Sequence, residues 1–412
     1  MWGIDFALIA RLIFLSVPLW LTILLISVFF HTWLNYKRRK FIREKGNVLL
    51  EIRLPKDIQK TPAAMEMVFE GMWEDVPGTT PEVYLKGAVR NWFSLELVSI
   101  GGDVKFYIWT WPNWRPIVEN RLYAQFPGIE IHEAKDYALD IIYDPTKTKI
   151  GGLMSTALIK EDVIPIRTYI DFGLDKTDKE PEQIIDPLVP ILEYLGSRKP
   201  GEIAAFQILI QGHRGQTLLK DALINPQGHF SQEVKTAVEK IANGSAYFKG
   251  KKDDPPSILN LTKTQTEAIA SIERNAGKHA YDTMIRILYA APLEIADKMS
   301  TAGLIGSMRQ FQYVGKNHLL NGIRPAKFLG YEFSWQDPFS IKSNREKREH
   351  LDAYKRRSFF NVPYKHLTRK PYVLTVEELA TLFHFPAGAT ATTPSLLRIP
   401  SKKAEAPANL PI

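Results

Sequence analysis

Few residue types in this chain are spaced for chemistry. Nucleotide hydrolysis needs a glycine-rich loop ending in Gly-Lys-Ser/Thr, whose backbone N–H groups cradle the phosphates. Gly315-Lys316 is the nearest approach, but Asn317 follows it and the upstream glycine is missing. There is no G-x-S-x-G elbow and no H-E-x-x-H helix. Cysteine is absent altogether, which excludes disulfides, thiolate metal sites and thiol catalysis in this sequence. His132-Glu133 is the one adjacent His–acid pair of interest, and it falls in an expected edge strand where it reads as an exposed pair. Gly101-Gly102 and Gly151-Gly152 read as turns. No catalytic, cofactor-binding or metal-ligating residue is assigned, and the chain reads as a non-enzyme. A hidden enzyme would require buried, pKa-perturbed carboxylates or histidines converging in one pocket.

Two groups of residues could bind instead of react. Trp92, Trp109, Trp111 and Trp114 could stack bases if a sheet face exposed them; without an RNA-binding sheet motif, they read as core or interface rings. Residues 342–370 are dense in Lys and Arg, interleaved with Tyr354, Phe359, Phe360 and Tyr364. Arg345, Lys347, Arg348, Lys355, Arg356 and Arg357 are the candidate nucleic-acid contacts. The alternative is a solvated helix balanced by Glu346, Glu349 and Asp352, or a membrane-facing patch.

The elements that would position these residues can be read from periodicity. Val48–Leu54 alternates as a strand. Thr61-Pro62 opens a helix with Met65, Val68, Phe69, Met72 and Trp73 on one face. Strands follow at 92–100 and 104–111 around the Gly101-Gly102-Asp103 hairpin, then a helix over 114–127 and a strand at 129–133. This βαββαβ order predicts a ferredoxin-like α+β module over 48–136. A connector is expected over 137–162, and a second ferredoxin-like module over 163–340. Its elements would be strand 166–172, helix 181–195, strands 202–211 and 284–290, helix 293–311 and strand 327–335. A polar helical insertion at 212–280 would carry helices 231–242 and 261–275. Within the basic segment 341–385, Thr375 and Glu378 make a capping box. Residues 386–412, rich in Pro, Ala, Thr and Ser, predict a flexible, disordered tail.

All of this hangs from the beginning of the chain. From Leu12 to Tyr36 no residue is formally charged, a length that crosses a bilayer as a helix. Trp33 and Tyr36 sit as interface aromatics. Lys37, Arg38, Arg39, Lys40, Arg43 and Lys45 follow, a membrane-surface cluster suited to an anionic lipid face. The positive-inside rule predicts a single-pass inner-membrane protein, with residues 1–11 outside, a span at 12–36, a juxtamembrane segment at 37–47 and the body in the cytoplasm. The net charge of +8 owes much to that cluster.

The chain resembles the membrane-anchored region that precedes the motor core in bacterial ATPases of the type IV secretion and conjugation kind. The resemblance rests on Val48–Pro55 with Thr61–Phe69, on Phe93–Ser99, on Val118–Pro127, and on Leu374–Pro386 with Ser401–Pro411. It implies that the last segment leads toward a motor domain. The sequence stops at Ile412 without motor motifs, so no ATP-binding residue can be carried over. The expectation is a non-catalytic platform that recruits a separate ATPase through its C-terminal tail for transfer of DNA or protein. A membrane-anchored nucleic-acid-binding module is the alternative. A homo-oligomeric ring is implied by resemblance only.

Overall fold

The apolar run folds as one helix, α1 (Phe6–Lys45), of 40 residues, about 60 Å long. Pro18 sits inside it, and the Thr22 hydroxyl donates to the Pro18 carbonyl at 2.5 Å. Leu15–Lys45 has a mean hydropathy of 1.8 over its most apolar window, none of it buried, so it is long and apolar enough to cross a membrane. The computed structural model describes residues 6–55, 58, 60–175, 186–214, 228–243, 261–297, 299–313, 315–320, 337–367, 370–387 and 398–399.

Two residues after α1 the chain enters the sheet. The first elements are β1 (Val48–Pro55), α2 (Pro62–Met72), β2 (Phe93–Ile100), β3 (Asp103–Thr110), α3 (Arg115–Gln125) and β4 (Glu130–Glu133). Each lies where the periodicity puts it. These strands run β4-β1-β3-β2, all antiparallel. The chain continues through β5 (Thr148–Ser155), β6 (Ala157–Leu158), α4 (Val189–Gly196), β7 (Ile203–Gly212), α5 (Gly228–Asn243), α6 (Lys263–Ala276) and β8 (Ala280–Pro292). Last come α7 (Ser300–Gly306), β9 (Leu319–Leu320), α8 (Ile341–Lys355), β10 (Tyr372–Thr375), α9 (Val376–Leu382) and β11 (Arg398–Ile399). β7 pairs antiparallel with β2, β8 with β7, and both β5 and β10 with β8. One nine-stranded sheet results, while β6 and β9 pair separately.

Several expectations need correction. Residues 137–162 are not merely a connector, because they contain β5. Gly151-Gly152 lies within that strand, paired with Tyr289 and Leu288, and is not a turn; the register slips just after it, between Gly152 and Met154, and Gly152 has φ +74°. A Cβ on Gly152 would come within 2.4 Å of the Ile287 carbonyl oxygen, so glycine is needed for the close approach. Residues 166–172 form turns, not a strand. Two of their N–H groups go to side chains far along the chain, Ile166 to Glu378 at 2.9 Å and Tyr169 to Thr381 at 2.9 Å, while Thr168 bonds Asp171 within the segment at 2.8 Å. The helix expected over 293–311 is reduced to α7 and a 3-10 turn at Arg309–Phe311, after a turn in which Asp297 accepts from the Met299 N–H at 3.0 Å. The helix expected over 181–195 begins at Val189, and its expected start at 181–185 lies outside the described residues, as does the strand expected at 327–335. Of the tail expected at 386–412, Pro386 is buried and β11 pairs in parallel with the end of β1, while 388–397 and 400–412 lie outside the described residues.

Both faces of the sheet are covered. On one face lie α2, α3, α4 and α9. Every residue of α9 is buried, and Phe383 and Phe385 beyond it meet Phe106 of β3 edge-on at 5.7 and 5.4 Å. The four tryptophans are core residues; Trp92 stacks on Trp109 at 5.8 Å. The opposite face is covered by α8 and the turn around Tyr137.

The capping box at α9 forms as the sequence predicts, but its acid is fully buried. Burial pushes the Glu378 carboxyl up to about 7, against the hydrogen bonds from Thr375 and Ile166. A raised carboxyl stabilises the fold below its ordinary pKa and loses that contribution as pH rises through the folded value. Relative to Glu378→Gln, the wild type should therefore lose about 2–3 kcal/mol of stability between pH 5 and pH 8. Paired denaturation curves at the two pH values check this; a gap that does not change with pH would contradict it.

Candidate functional site

Two polar constellations stand out, and only one is open. The closed one crosses the sheet. Glu51, Tyr107, Glu96, Gln207 and Arg286 are register partners on five successive strands, β1-β3-β2-β7-β8. Over this row α8 and the residues after it bring Tyr354 and Arg357. Arg357 Nε and Nη2 donate to the two Glu96 oxygens at 3.0 and 3.1 Å, and the same guanidinium pairs with Asp136. Glu96 also accepts from Ser94 at 2.6 Å, Tyr137 at 2.8 Å and Gln207 at 3.0 Å. Burial works against the charge on Glu96, yet Arg357 and these donors hold its carboxyl below the usual carboxylate range. Arg286 gives its guanidinium to the Ser358 carbonyl at 2.6 Å and the Ala353 carbonyl at 3.0 Å, and burial pulls it down to about 10. The row fastens α8 to the sheet. Ser94, Glu96, Gln207, Arg286, Tyr354 and Arg357 are all buried.

Reasoning from sequence missed Glu96, Gln207 and Arg286. The signal in the sequence is partial: each is a polar residue inside an apolar strand, but the transverse line they form depends on the strand register.

This arrangement corrects one candidate nucleic-acid contact. Arg357 is fully buried and twice ion-paired, so it cannot reach a phosphate at the surface. The other five lie on or just after α8. Arg345 pairs with Glu349 at 3.0 Å and Arg356 with Asp352 at 2.8 Å, each one turn away. Lys347 lies over the Tyr143 ring at 5.9 Å. Arg348 is exposed and Lys355 half-buried.

The open constellation is a cleft of about 690 Å³ beside α1. Its walls come from five places: Arg38 of α1; Pro77, Val83, Ala88, Val89 and Arg90 of the loop between α2 and β2; Asp162; the adjoining ends of β7 and β8; and Phe360, Asn361, Lys365, His366, Lys370, Pro371 and Val373. The loop contains a single π-helical turn, Glu82–Lys86, closed by Gly87 at φ +79°. A Cβ on Gly87 would meet the Lys37 carbonyl carbon at 2.5 Å, so glycine lets the loop lie directly on α1. Within the cleft, Arg90 donates to the Gly212 carbonyl at 2.7 Å and reaches Asp282 at 3.4 Å. His213 lies 2.7 Å from the other Asp282 oxygen. Burial and the nearby Lys365 lower the pKa of His366.

The six cations expected at a membrane surface divide here. Arg39 and Arg43 are exposed, Lys40 pairs with Glu44 at 3.7 Å, and Lys37 lies over Trp33 at 5.5 Å. Arg38 turns into the cleft. Lys45 faces the body, 2.6 Å from Asn91 Oδ1 and 4.6 Å from the Trp111 ring, and burial lowers its pKa. Lys45 is thus part of the joint between helix and sheet, not of the outer cluster. His132 remains beside Glu130 at 3.2 Å, both half exposed, and no metal-binding group of three occurs among the described residues.

No protein-family model matches the chain, and no curated protein matches it.

Proposed function

We propose that the chain is a non-catalytic, membrane-tethered platform that organises a separate ATPase for DNA or protein transfer of the type IV secretion and conjugation kind. The observation that carries this reading is the joint of α1 to the sheet. An unburied apolar helix runs with a two-residue link into a broad, doubly covered sheet. On this reading α1 is a single-pass inner-membrane anchor and the body is cytoplasmic, as the basic flank after the apolar run implies. The sheet is read as two ferredoxin-like modules sharing a seam. The order β4-β1-β3-β2 supports the first; for the second, the antiparallel run β5-β8-β7 beside β2 is the supporting part, with β10 on the other end of the β8 edge. On this reading the sheet serves as a docking surface.

The test is affinity purification of the full-length chain from gently solubilised membranes, with mass spectrometry of the proteins that accompany it. Deletion of 400–412 is the informative variant, because it keeps β11 and the buried Phe383–Pro386 segment. An ATPase with a phosphate-binding loop should copurify, and should be lost on that deletion. Nucleic acid without an ATPase would replace the platform by the nucleic-acid reading, now confined to Arg345, Lys347, Arg348, Lys355 and Arg356.

A further inference from the structure

We propose that the cleft beside α1 binds a phosphate ester, and that its physiological source is the headgroup of an anionic phospholipid. The lipid source rests on the anchor reading above; the phosphate chemistry does not.

Charge comes first. Five cationic side chains, Arg38, Arg90, Arg214, Lys365 and Lys370, line the cleft with only two carboxylates, Asp162 and Asp282. Both carboxylates are engaged. Asp282 holds Arg90 and His213, and Asp162 accepts from the Val373 N–H at 3.0 Å. Among the described residues, Arg38, Arg214, Lys365 and Lys370 form no ion pair. Arg38 Nε is buried there with no hydrogen-bond partner. Buried donors are normally satisfied, and an oxyanion is the acceptor that such a guanidinium fits best. The volume lies within the range of small-ligand sites. Val83, Ala88, Val89 and Phe360 give the cleft an apolar side, as a glycerol ester would require.

Depth comes second. The π-helical turn that supplies Val83 also exposes Tyr84 and Leu85. The Tyr84 ring lies 6.3 Å from Phe30, inside the apolar stretch of α1. With α1 in a bilayer, Tyr84 and Leu85 sit where interface aromatics partition, and the cleft lies level with the headgroups. Arg38 follows the apolar stretch by two residues, so a lipid phosphate would lie within reach of the cleft.

The experiment uses the full-length chain in neutral detergent micelles, which carry no anionic surface of their own. Native mass spectrometry with added phosphatidylglycerol should show one retained lipid per chain. Arg38→Gln with Arg214→Gln should weaken retention by about tenfold or more per guanidinium, the worth of a charge-assisted hydrogen bond. Lys135→Gln with Lys263→Gln, exposed cations away from α1 and the cleft, should retain lipid as the wild type does. Equal loss in both variants, or no retained lipid and no phosphate binding, overturns the proposal. Calorimetry with inorganic phosphate forms the second arm. Phosphate binding that needs Arg38 and Arg214, without lipid retention, keeps the site but makes its source soluble and overturns the lipid assignment. Carbonate extraction of native membranes tests the anchor separately: release of the chain defeats the anchor reading and leaves the phosphate arm standing.

Discussion

Arg357→Met is expected to destabilise the fold by about 3–5 kcal/mol, because it leaves a buried carboxylate without its counter-ion. Glu96 is fully buried between two strands and under α8, and both its oxygens are bonded by Arg357. Removing the guanidinium also strands Asp136, which accepts from Nη2 at 2.9 Å. The Glu96 carboxyl must then take up a proton or open the sheet face to water. Its pKa rises in the variant, so the loss should be smaller at pH 5 than at pH 8. Glu96→Gln in the same chain should recover much of the loss, since it removes the uncompensated charge. Thermal denaturation of the solubilised chain, followed by circular dichroism, measures all three proteins. A single-variant loss under about 1 kcal/mol, the range of exposed ion pairs, would mean that the pair is not desolvated.

Phe383→Ala should cost a similar amount, about 3–5 kcal/mol, for an apolar reason. Phe383 is fully buried after α9, with its ring edge-on to Phe106. Phe385 in turn lies 4.8 Å from Phe126 at the end of α3. This four-ring cluster fixes a segment near the end of the chain to its first strands, across more than 250 residues of sequence. Alanine would leave a cavity the size of a ring where neither backbone can collapse. The midpoint of chemical unfolding is the readout. A shift no larger than that of a surface substitution would show that the C-terminal segment is not part of the core.

The first half of the sheet was legible in the sequence because each strand alternates and each helix carries an apolar stripe between glycine or proline signals. The covered second face was not legible. Ser94 and Glu96 read as the polar side of a strand, and nothing local shows that α8, some 260 residues later, seals them from water. β5 was hidden because Gly151-Gly152 looks like punctuation, whereas the close approach of Gly152 to β8 at positive φ requires a glycine there. The opposite error arose at 166–172, whose apolar residues alternate as a strand should. The bonds that end a ladder there come from Glu378 and Thr381, more than 200 residues away, and local periodicity carries no trace of them. The two basic stretches were read as groups, and their members take different positions. Charge counts do not reveal that Lys45 and Arg357 turn inward while Arg39 and Arg43 stay in solvent.

Only Gly46 and Asn47 separate α1 from β1, and Lys45 is held by Asn91 and Trp111 on one side of that joint. The loop seated on Lys37 and Arg38 braces the helix a second time. Two supports more than a helical turn apart make a clamped beam, not a hinge. With α1 in the proposed anchoring, helix tilt and sheet tilt become one mechanical variable. A partner pulling on the plate would then exert a torque on the bilayer, with no slack tether to absorb it.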